Sequence, residues 1–234
     1  MNPADDSSVS WVKGSRAASS SSAVLLAAGA STRMGSAKAL LPFPSGRSSA
    51  HPLIVDQLLR LALAGCRPIA CVLGEDARAI GAEIRRHFSP LLAPRLRIVK
   101  NDAWTSGPFS SLQVGLRALG EPCPGALVLP LDVPALSPAL FAALIDTGRE
   151  GRAEAVVPFF HGRGGHPVWL SSATAARICS MPAEARLDDL LRSVSVSRVD
   201  VGGPTILENV NTPEDWARLL RSLEEDLERG EPEV

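Results

Sequence analysis

Residues 24–41 read "VLLAAGASTRMGSAKALL". A short apolar run ends at Gly29, and small and hydroxyl residues follow with two cations among them, Arg33 and Lys38, before the sequence turns apolar again. In open α/β sheets, ligands bind outside the carboxyl ends of the strands, where such loops lie. The stretch therefore predicts a buried strand over residues 23–27, followed by a loop that either holds phosphates or only connects two elements.

The spacing within this loop differs from the two commonest phosphate-binding loops. Gly29 and Gly35 allow close approach of a ligand to the backbone, and Ser31 and Thr32 supply hydroxyl groups. Five residues separate the two glycines and Lys38 comes three residues later, which fits neither G-x-x-x-x-G-K-[ST] nor G-x-G-x-x-G. The spacing thus disfavours a P-loop kinase and leaves both a phosphate site and a structural turn open.

The rest of the chain alternates between apolar runs and amphipathic runs. We predict further strands at residues 68–74, 95–100, 125–131, 154–159 and 196–201. We predict helices at residues 51–65, 76–87, 108–120, from 137 onward, twice between 171 and 193, and over 211–228, with Thr212 as N-cap and Pro213 at the first helical position. Strands that are apolar on both faces indicate a mostly parallel, Rossmann-like sheet in a three-layer α/β/α sandwich.

The chain is predicted to form one domain with a tail at each end. Residues 1–22 are polar and Ser-rich and are expected to be a disordered tail, residues 23–220 to be the domain, and residues 221–234 to be an acidic helix end and tail. The glycine-rich segment 159–170 interrupts the alternation and is expected to form a small hairpin over one end of the sheet.

Composition argues against several classes of partner. There are 24 basic and 25 acidic residues, and this formal charge of −1 gives no reason to expect a nucleic-acid or membrane partner. No apolar run approaches the ~20 residues that a membrane helix needs. The four cysteines form no C-x-x-C pair, which favours reduced, mostly buried thiols in a cytoplasmic protein.

Several motifs together resemble one enzyme family. The stretch "LLAAGASTRMGSAKALLPF" resembles the L-A-A-G-x-S-x-R-M-G-x-x-K-x-L-L signature of the MobA-like NTP transferases, in their molybdenum-cofactor cytidylyltransferase and guanylyltransferase branch. The segments "NDAWTSGPFSSLQVGL", "LVLPLDVPALSP", "GRGGHPVWL" and "NVNTPEDW" resemble later motifs of the same family. The resemblance covers roughly residues 23–220 and implies the nucleotide-diphospho-sugar transferase fold.

The resemblance implies a site for a nucleoside triphosphate in the opening loop. Arg33 and Lys38 would neutralise the negative charge of the phosphates during transfer. Arg33 would do so with a planar guanidinium that can donate two hydrogen bonds, and Lys38 with a compact ammonium charge. Cytidylyltransferases of the family typically read L-A-A-G where guanylyltransferases read L-A-G-G, so Ala28 favours CTP. The nucleotide-binding positions implied by the resemblance are Ala27, Ala28, Gly29, Ser31, Gly107, Ser110 and Ser111.

Asp132 is the second key residue of this interpretation. It follows an apolar strand, where an Asp most often serves a turn or a helix cap. Opposite a cationic loop it is expected to bind Mg²⁺, together with Asn211, because Mg²⁺ takes one or two carboxylates plus substrate phosphates. Asn209 and Asn211 stand where the cytidylyltransferases usually have D-x-D, as in many guanylyltransferases, and this keeps the choice of base open.

The acceptor side of the cleft carries weaker signals. By the resemblance, Arg163 and His166 would meet an anionic pterin phosphate. Family members commonly have a G-D-x-G-A-R-x-L-L element further along, and this chain has "PAEARLDDLLR" at residues 182–192 instead. Gly107, Ser110 and Ser111 begin a helix, so a plain capping role remains an alternative to nucleotide contact.

The leading hypothesis is a Mg²⁺-dependent nucleotidyltransferase. It would transfer CMP from CTP to the terminal phosphate of a molybdopterin-type cofactor and release pyrophosphate, with Arg33, Lys38 and Asp132 as the catalytic residues. A molybdoenzyme or a maturation factor would be the protein partner. Two alternatives are the same chemistry on a sugar phosphate or other small phosphorylated acceptor, and a non-catalytic carrier or maturation chaperone for the molybdenum cofactor.

Overall fold

The computed structural model describes residues 21–44, 50–87, 96–121, 123–134 and 136–229, with side chains up to residue 225. The strands are β1 Ser22–Ala27, β2 Pro42–Pro44, β3 Ala50–Pro52, β4 Ile69–Leu73, β5 Leu96–Lys100, β6 Ala126–Pro130, β7 Ala155–Phe160, β8 Arg163–Gly164, β9 Val168–Leu170 and β10 Val196–Asp200. The α-helices are α1 Leu53–Leu63, α2 Ala77–His87, α3 Pro108–Leu119, α4 Pro138–Glu150, α5 Ser172–Ser180, α6 Leu187–Leu191 and α7 Pro213–Arg229. Short 3-10 turns span Thr32–Met34, Lys38–Leu40, Trp104–Ser106 and Pro204–Leu207.

The central sheet is mostly parallel, as the apolar strands predicted. Its order is β10-β7-β9-β6-β1-β4-β5, with β8 paired to β7. The neighbours β6, β1, β4 and β5 run parallel, and so do β7 and β10. A separate antiparallel pair joins β2 to β3.

Alternate residues of the inner strands supply two cores, one on each face of the sheet. In β1, Leu25 belongs to the core packed by α1, α2 and α4, and Val24 belongs to the core packed by α3 and α5. Because neighbouring side chains of a strand point to opposite faces, an unbroken apolar strand is buried on both sides. This confirms the predicted three-layer α/β/α sandwich.

The segment predicted as a hairpin contributes more than a hairpin. Arg163 and Gly164 do form one with the end of β7, but Val168, Trp169 and Leu170 insert as β9 between β6 and β7, antiparallel to both. All three of these side chains are buried. The expectation that this segment lies only over the end of the sheet was wrong, because three consecutive apolar residues after the glycines suffice for a short strand buried on both faces.

The predicted N-terminal tail extends two residues too far. Ser22 begins β1, and the Ser21 hydroxyl donates to the Gly125 carbonyl at 3.1 Å and accepts from Trp169 Nε1 at 3.2 Å. Residues 1–20 of that tail, and residues 230–234 at the other end, lie outside the described residues. No helix within the described ranges has the length and apolar character needed to cross a membrane.

Candidate active site

A cavity of about 880 Å³ lies along the carboxyl edge of the central strands. Strand direction explains its composition, because parallel strands end at the same edge and the antiparallel β9 begins there. His166, just before β9, is thereby brought to the edge at which β1 and β6 end. The lining comes from residues 26–33, Lys38, residues 104–109, Ser111, Leu112, Val128, residues 130–132, His166, residues 184–188, Asn209 and Asn211.

The opening loop wraps around this cavity in two tight turns. Ser31 adopts a left-handed conformation with φ 52°, and Gly35 ends the first 3-10 turn with φ 67°. Met34 is buried in the core and anchors this turn, while Arg33 is exposed and lines the cavity. The loop thus presents an exposed guanidinium group to the cavity, and the buried Met34 next to it fixes the backbone.

Lys38 begins the second turn and is buried, with 7% of its surface exposed. Its Nζ donates to Asn211 Oδ1 at 3.0 Å. Burial lowers the pKa of the Lys38 ammonium, Asp132 opposes this shift and Arg33 adds to it. The ammonium therefore lies in a poorly solvated place where a further anionic partner would stabilise its charge.

Asp132 is half-buried on the loop after β6, and helix α1 holds this loop in place. The Gln57 amide nitrogen lies 3.3 Å from the carbonyl oxygens of both Leu131 and Val133. The Val210 backbone N–H donates to the Asp132 carbonyl at 2.8 Å. The backbone around the Asp132 carboxylate is therefore held on one side by helix α1 and on the other side by the segment that carries Asn211.

The segment before α7 is fixed by a capping box, which confirms the predicted N-cap at Thr212. The Thr212 hydroxyl accepts from the Asp215 backbone N–H at 3.2 Å, and Asp215 Oδ2 accepts from the backbone N–H groups of Thr212 and Asn211, both at 3.0 Å. The hydrogen bond from the Asn211 backbone and the Arg218 guanidinium, 2.6 Å from Oδ1, lower the pKa of Asp215 to about 2. The capping box thus also holds the backbone of Asn211, the residue before the N-cap.

The second predicted nucleotide-binding segment, which carries Gly107, Ser110 and Ser111, is organised around the Asn101 side chain. Its side-chain nitrogen donates to the hydroxyls of Ser110 at 2.9 Å and Ser111 at 3.0 Å, and its oxygen accepts from the Ala103 backbone N–H. The Ser110 hydroxyl also donates to the Gly107 carbonyl at 2.8 Å. Gly107 and Ser111 line the cavity, whereas Ser110 is buried behind it, so Ser110 stabilises the loop rather than facing the cavity.

Of the two residues predicted to bind the acceptor substrate, the structure places only one at the cavity. His166 lines the cavity, and its Nδ1 is buried and makes no hydrogen bond to the described residues. Burial lowers the pKa of His166, while Asp132 and Asp188 oppose this shift. Arg163 lies on β8, is exposed and is not among the residues that line the cavity.

The sequence reasoning missed part of the lining. Glu184, Arg186 and Asp188 border the cavity, and Arg186 Nη2 lies 3.8 Å from Asp188 Oδ2. Their segment was recognised as a departure from the family element, and that departure was the available signal. Trp104 lines the cavity as well.

The described part of the cavity offers few side chains that could hold a divalent metal ion. Within the described ranges, no group of three or more His, Cys, Asp or Glu residues is placed to hold a metal ion. Asp132 offers a carboxylate and Asn211 an amide oxygen at the cavity. This donor set suits Mg²⁺ bound mainly through substrate phosphates and water, and it does not suit a closed structural metal site.

Comparison with known proteins agrees with the motifs. The family profile described as the MobA-like NTP transferase domain matches residues 23–199. The chain belongs to the MobA-like NTP transferase family. This MobA-like domain has the nucleotide-diphospho-sugar transferase fold, because its sheet and helices match those of solved structures of that fold, among them a nucleotidyl transferase.

Three curated relatives span nearly the whole MobA-like domain. Nicotine blue oxidoreductase of Paenarthrobacter nicotinovorans is 32% identical over 206 residues, covering 84% of this chain and 95% of the relative. A probable molybdenum cofactor guanylyltransferase of Mycolicibacterium paratuberculosis is 29% identical, covering 85% and 94%. The molybdenum cofactor cytidylyltransferase of Escherichia coli is 24% identical, covering 82% and 92%. The solved structure of Rv0371c from Mycobacterium tuberculosis in complex with manganese has a TM-score of 0.68 and 25% identity, covering 87% of this chain and 99% of that one.

Proposed function

We propose that this protein is a Mg²⁺-dependent nucleotidyltransferase that transfers CMP from CTP to the terminal phosphate of a molybdopterin-type cofactor. The observation that carries this proposal is the cavity itself, where Arg33 and Lys38 converge with Asp132 at one edge of the sheet. Two of the relatives described above are named molybdenum cofactor nucleotidyltransferases, and this supports the acceptor class.

The proposed reaction is an in-line displacement. An oxygen of the acceptor's terminal phosphate forms a bond to the α-phosphorus of CTP, the bond from that phosphorus to the bridging oxygen breaks, and pyrophosphate leaves with the bonding electrons. Catalysis of this kind relies on positioning and charge stabilisation, so no side chain need act as nucleophile. Arg33 would engage phosphate oxygens through its planar fork and Lys38 would place a buried positive charge against them.

Asp132 is the proposed carboxylate for the divalent cation, with Asn211 as the second residue in reach of the same edge of the cavity. Bound Mg²⁺ would neutralise part of the triphosphate charge. The manganese complex named for the Rv0371c structure supports a divalent cation in a relative of this fold. Gln57 holds the loop that carries Asp132. The carboxylate is therefore already near the cavity before a cation binds.

CTP is the proposed nucleotide because Ala28 gives the L-A-A-G reading typical of cytidylyltransferases. Asn209 and Asn211 resemble the guanylyltransferase pattern, so GTP is the competing nucleotide. On the acceptor side, His166 is the proposed contact to the pterin phosphate, since it lines the cavity while Arg163 does not.

The deciding experiment measures pyrophosphate release by the purified protein with Mg²⁺, CTP or GTP, and a molybdopterin-type acceptor. We expect release that requires both the acceptor and Mg²⁺ and is faster with CTP. Asp132→Asn should lower kcat/KM by about 100-fold or more, because metal-borne charge stabilisation amounts to several kcal/mol. Asp189→Asn is the matched control, because Asp189 is exposed, pairs with Arg192 and does not line the cavity.

Other outcomes would favour other functions. If CTP or GTP releases pyrophosphate when a sugar phosphate is the acceptor, and not when the molybdopterin-type compound is, the nucleotidyl transfer stands and the proposed acceptor is wrong. Tight pterin binding without nucleotide consumption would favour a carrier or maturation chaperone.

An oxidoreductase is the second candidate function, and the 32% identity to nicotine blue oxidoreductase is the observation that favours it. Oxidation of NADH or NADPH in the presence of nicotine blue, with no pyrophosphate release from any nucleotide tested, would replace the transferase proposal by this one.

A further inference from the structure

One contact in the cavity joins residues from opposite ends of the chain. Lys38 Nζ and Asn211 Oδ1 are 3.0 Å apart and 173 positions distant in sequence. The amide oxygen that the sequence assigns to a metal ion is therefore already engaged with the ammonium group. This raises the question of what Asn211 does for Lys38.

The position of Asn211 is fixed on both sides by hydrogen bonds. Its own backbone N–H donates to Asp215 Oδ2, which the capping box of α7 holds in place. The preceding residue, Val210, is buried and donates its N–H to the Asp132 carbonyl. The amide oxygen thus projects from backbone tied both to a helix start and to the Asp132 loop.

Lys38 needs such a partner because its side chain is long and its surroundings are poorly solvated. Ordering a long lysine side chain costs rotamer entropy, and a hydrogen-bond partner in the folded protein meets that cost before substrate arrives. A neutral amide is suited to this task. The amide oxygen accepts a hydrogen bond from the Lys38 ammonium without neutralising its positive charge, which stays available to the phosphates. A carboxylate at the same place would compete with the phosphates for that charge.

We propose that Asn211 is a positioning residue, whose amide oxygen holds the Lys38 ammonium in the place where it meets the triphosphate. This inference rests on the proposed triphosphate role of Lys38. It gives a physical reason for an asparagine at a position where cytidylyltransferases of the family usually have aspartate. It also assigns the divalent cation chiefly to Asp132.

The test is a double-mutant cycle on nucleotide affinity, measured by calorimetry with CTP in EDTA, so that no metal contributes. We expect Asn211→Ala to weaken binding about tenfold, the usual effect of losing a hydrogen bond to a charged group. In the Lys38→Ala background the same substitution should have almost no further effect, because its target is gone. Asn209→Ala is the matched control, since Asn209 lines the same cavity two residues earlier, and its effect should add to that of Lys38→Ala.

Asn211→Asp provides a second variant that keeps an acceptor oxygen at the same place, in case the alanine variant does not fold. Its effect on CTP affinity should also vanish in the Lys38→Ala background. Additive effects of either variant with Lys38→Ala would overturn the inference. So would unchanged affinity in EDTA combined with weaker Mg²⁺ binding, which would make Asn211 a metal ligand. If Lys38→Ala itself leaves CTP affinity unchanged, the proposed role of Lys38 fails first and this inference fails with it.

Discussion

At the scale of single residues, the two cations of the opening loop occupy contrasting environments. Arg33 is exposed at the rim of the cavity, and Lys38 is buried against Asn211. We expect Arg33→Ala to lower kcat/KM for pyrophosphate release by about 100-fold, comparable to the loss of one preorganised charge-stabilising group. The free energy of unfolding should change by no more than about 0.5 kcal/mol, as for most exposed positions. Arg221→Ala, at an exposed position of α7, is the control and should change neither quantity.

The cysteines allow a second prediction for single side chains. Cys66 and Cys71 are buried, and burial raises the pKa of each thiol to about 12. Cys123 and Cys179 are only half-buried. Burial also raises the pKa of Cys179. Since the thiolate is the reactive form, iodoacetamide at pH 8 should modify Cys123 first and Cys179 more slowly in the native protein, and leave the other two intact. Mass spectrometry of the native and the urea-unfolded protein checks this, and modification of Cys71 in the native state would contradict the packing described above.

At the scale of secondary-structure elements, two glycines inside helices have opposite surroundings. A Cβ added at Gly115 of α3 would lie 2.3 Å from Val24 Cγ1 and 2.9 Å from Val72 Cγ2 on the sheet. Gly115→Ala should therefore destabilise the protein by about 1–3 kcal/mol through overpacking, as judged by urea unfolding.

Gly81 of α2 is the matched control for this substitution. The nearest described atoms to a Cβ added there belong to the end of the flexible Arg85 side chain, the first of them at 3.5 Å. Gly81→Ala should stabilise the protein by about 0.5–1 kcal/mol, the difference in helix propensity between the two residues. Equal effects of the two substitutions would contradict the close packing of α3 on β1 and β4.

The capping box of α7 predicts a pH dependence of stability. The pKa of Asp215 is lowered from 3.8 to about 2 in the folded protein, so folding favours the ionised carboxylate. Its stabilising contribution is complete above the unfolded-state pKa and is lost as the pH falls from about 4 to about 2. We expect Asp215→Asn to lower the thermal midpoint at pH 7 and to make it less dependent on pH between 4 and 2. Parallel curves for the two proteins over that interval would show that the carboxylate is not stabilised as described.

At the scale of the whole molecule, the cavity joins segments from both halves of the chain, from the opening loop to Asn211 before the last helix. A ligand that binds only this folded arrangement should stabilise the domain as a unit. At a CTP concentration 100 times its Kd, the free energy of unfolding should rise by about 2.7 kcal/mol. Thermal unfolding with Mg²⁺ and each of CTP, GTP, ATP and UTP at equal concentration should give the largest rise in Tm with CTP. A larger rise with GTP would show that Asn209 and Asn211 indicate the base better than Ala28 does.

The sequence by itself determined the layers of the fold and the loops that meet along one edge of the cavity. Both depend on local signals, namely strands apolar on both faces and a loop whose cations follow a strand directly. Because parallel strands share one carboxyl edge, residues after different strands, such as Arg33 and Asp132, could be expected to meet.

Only the tertiary structure decided the features that depend on contacts between distant segments. It placed β9 inside the sheet, kept Arg163 out of the cavity lining and brought residues 184–188 into it. It also put the Lys38 ammonium against Asn211, 173 residues further along the chain. Neither spacing nor periodicity encodes such pairings, since they arise where the helices and strands pack and their side chains turn toward a common space.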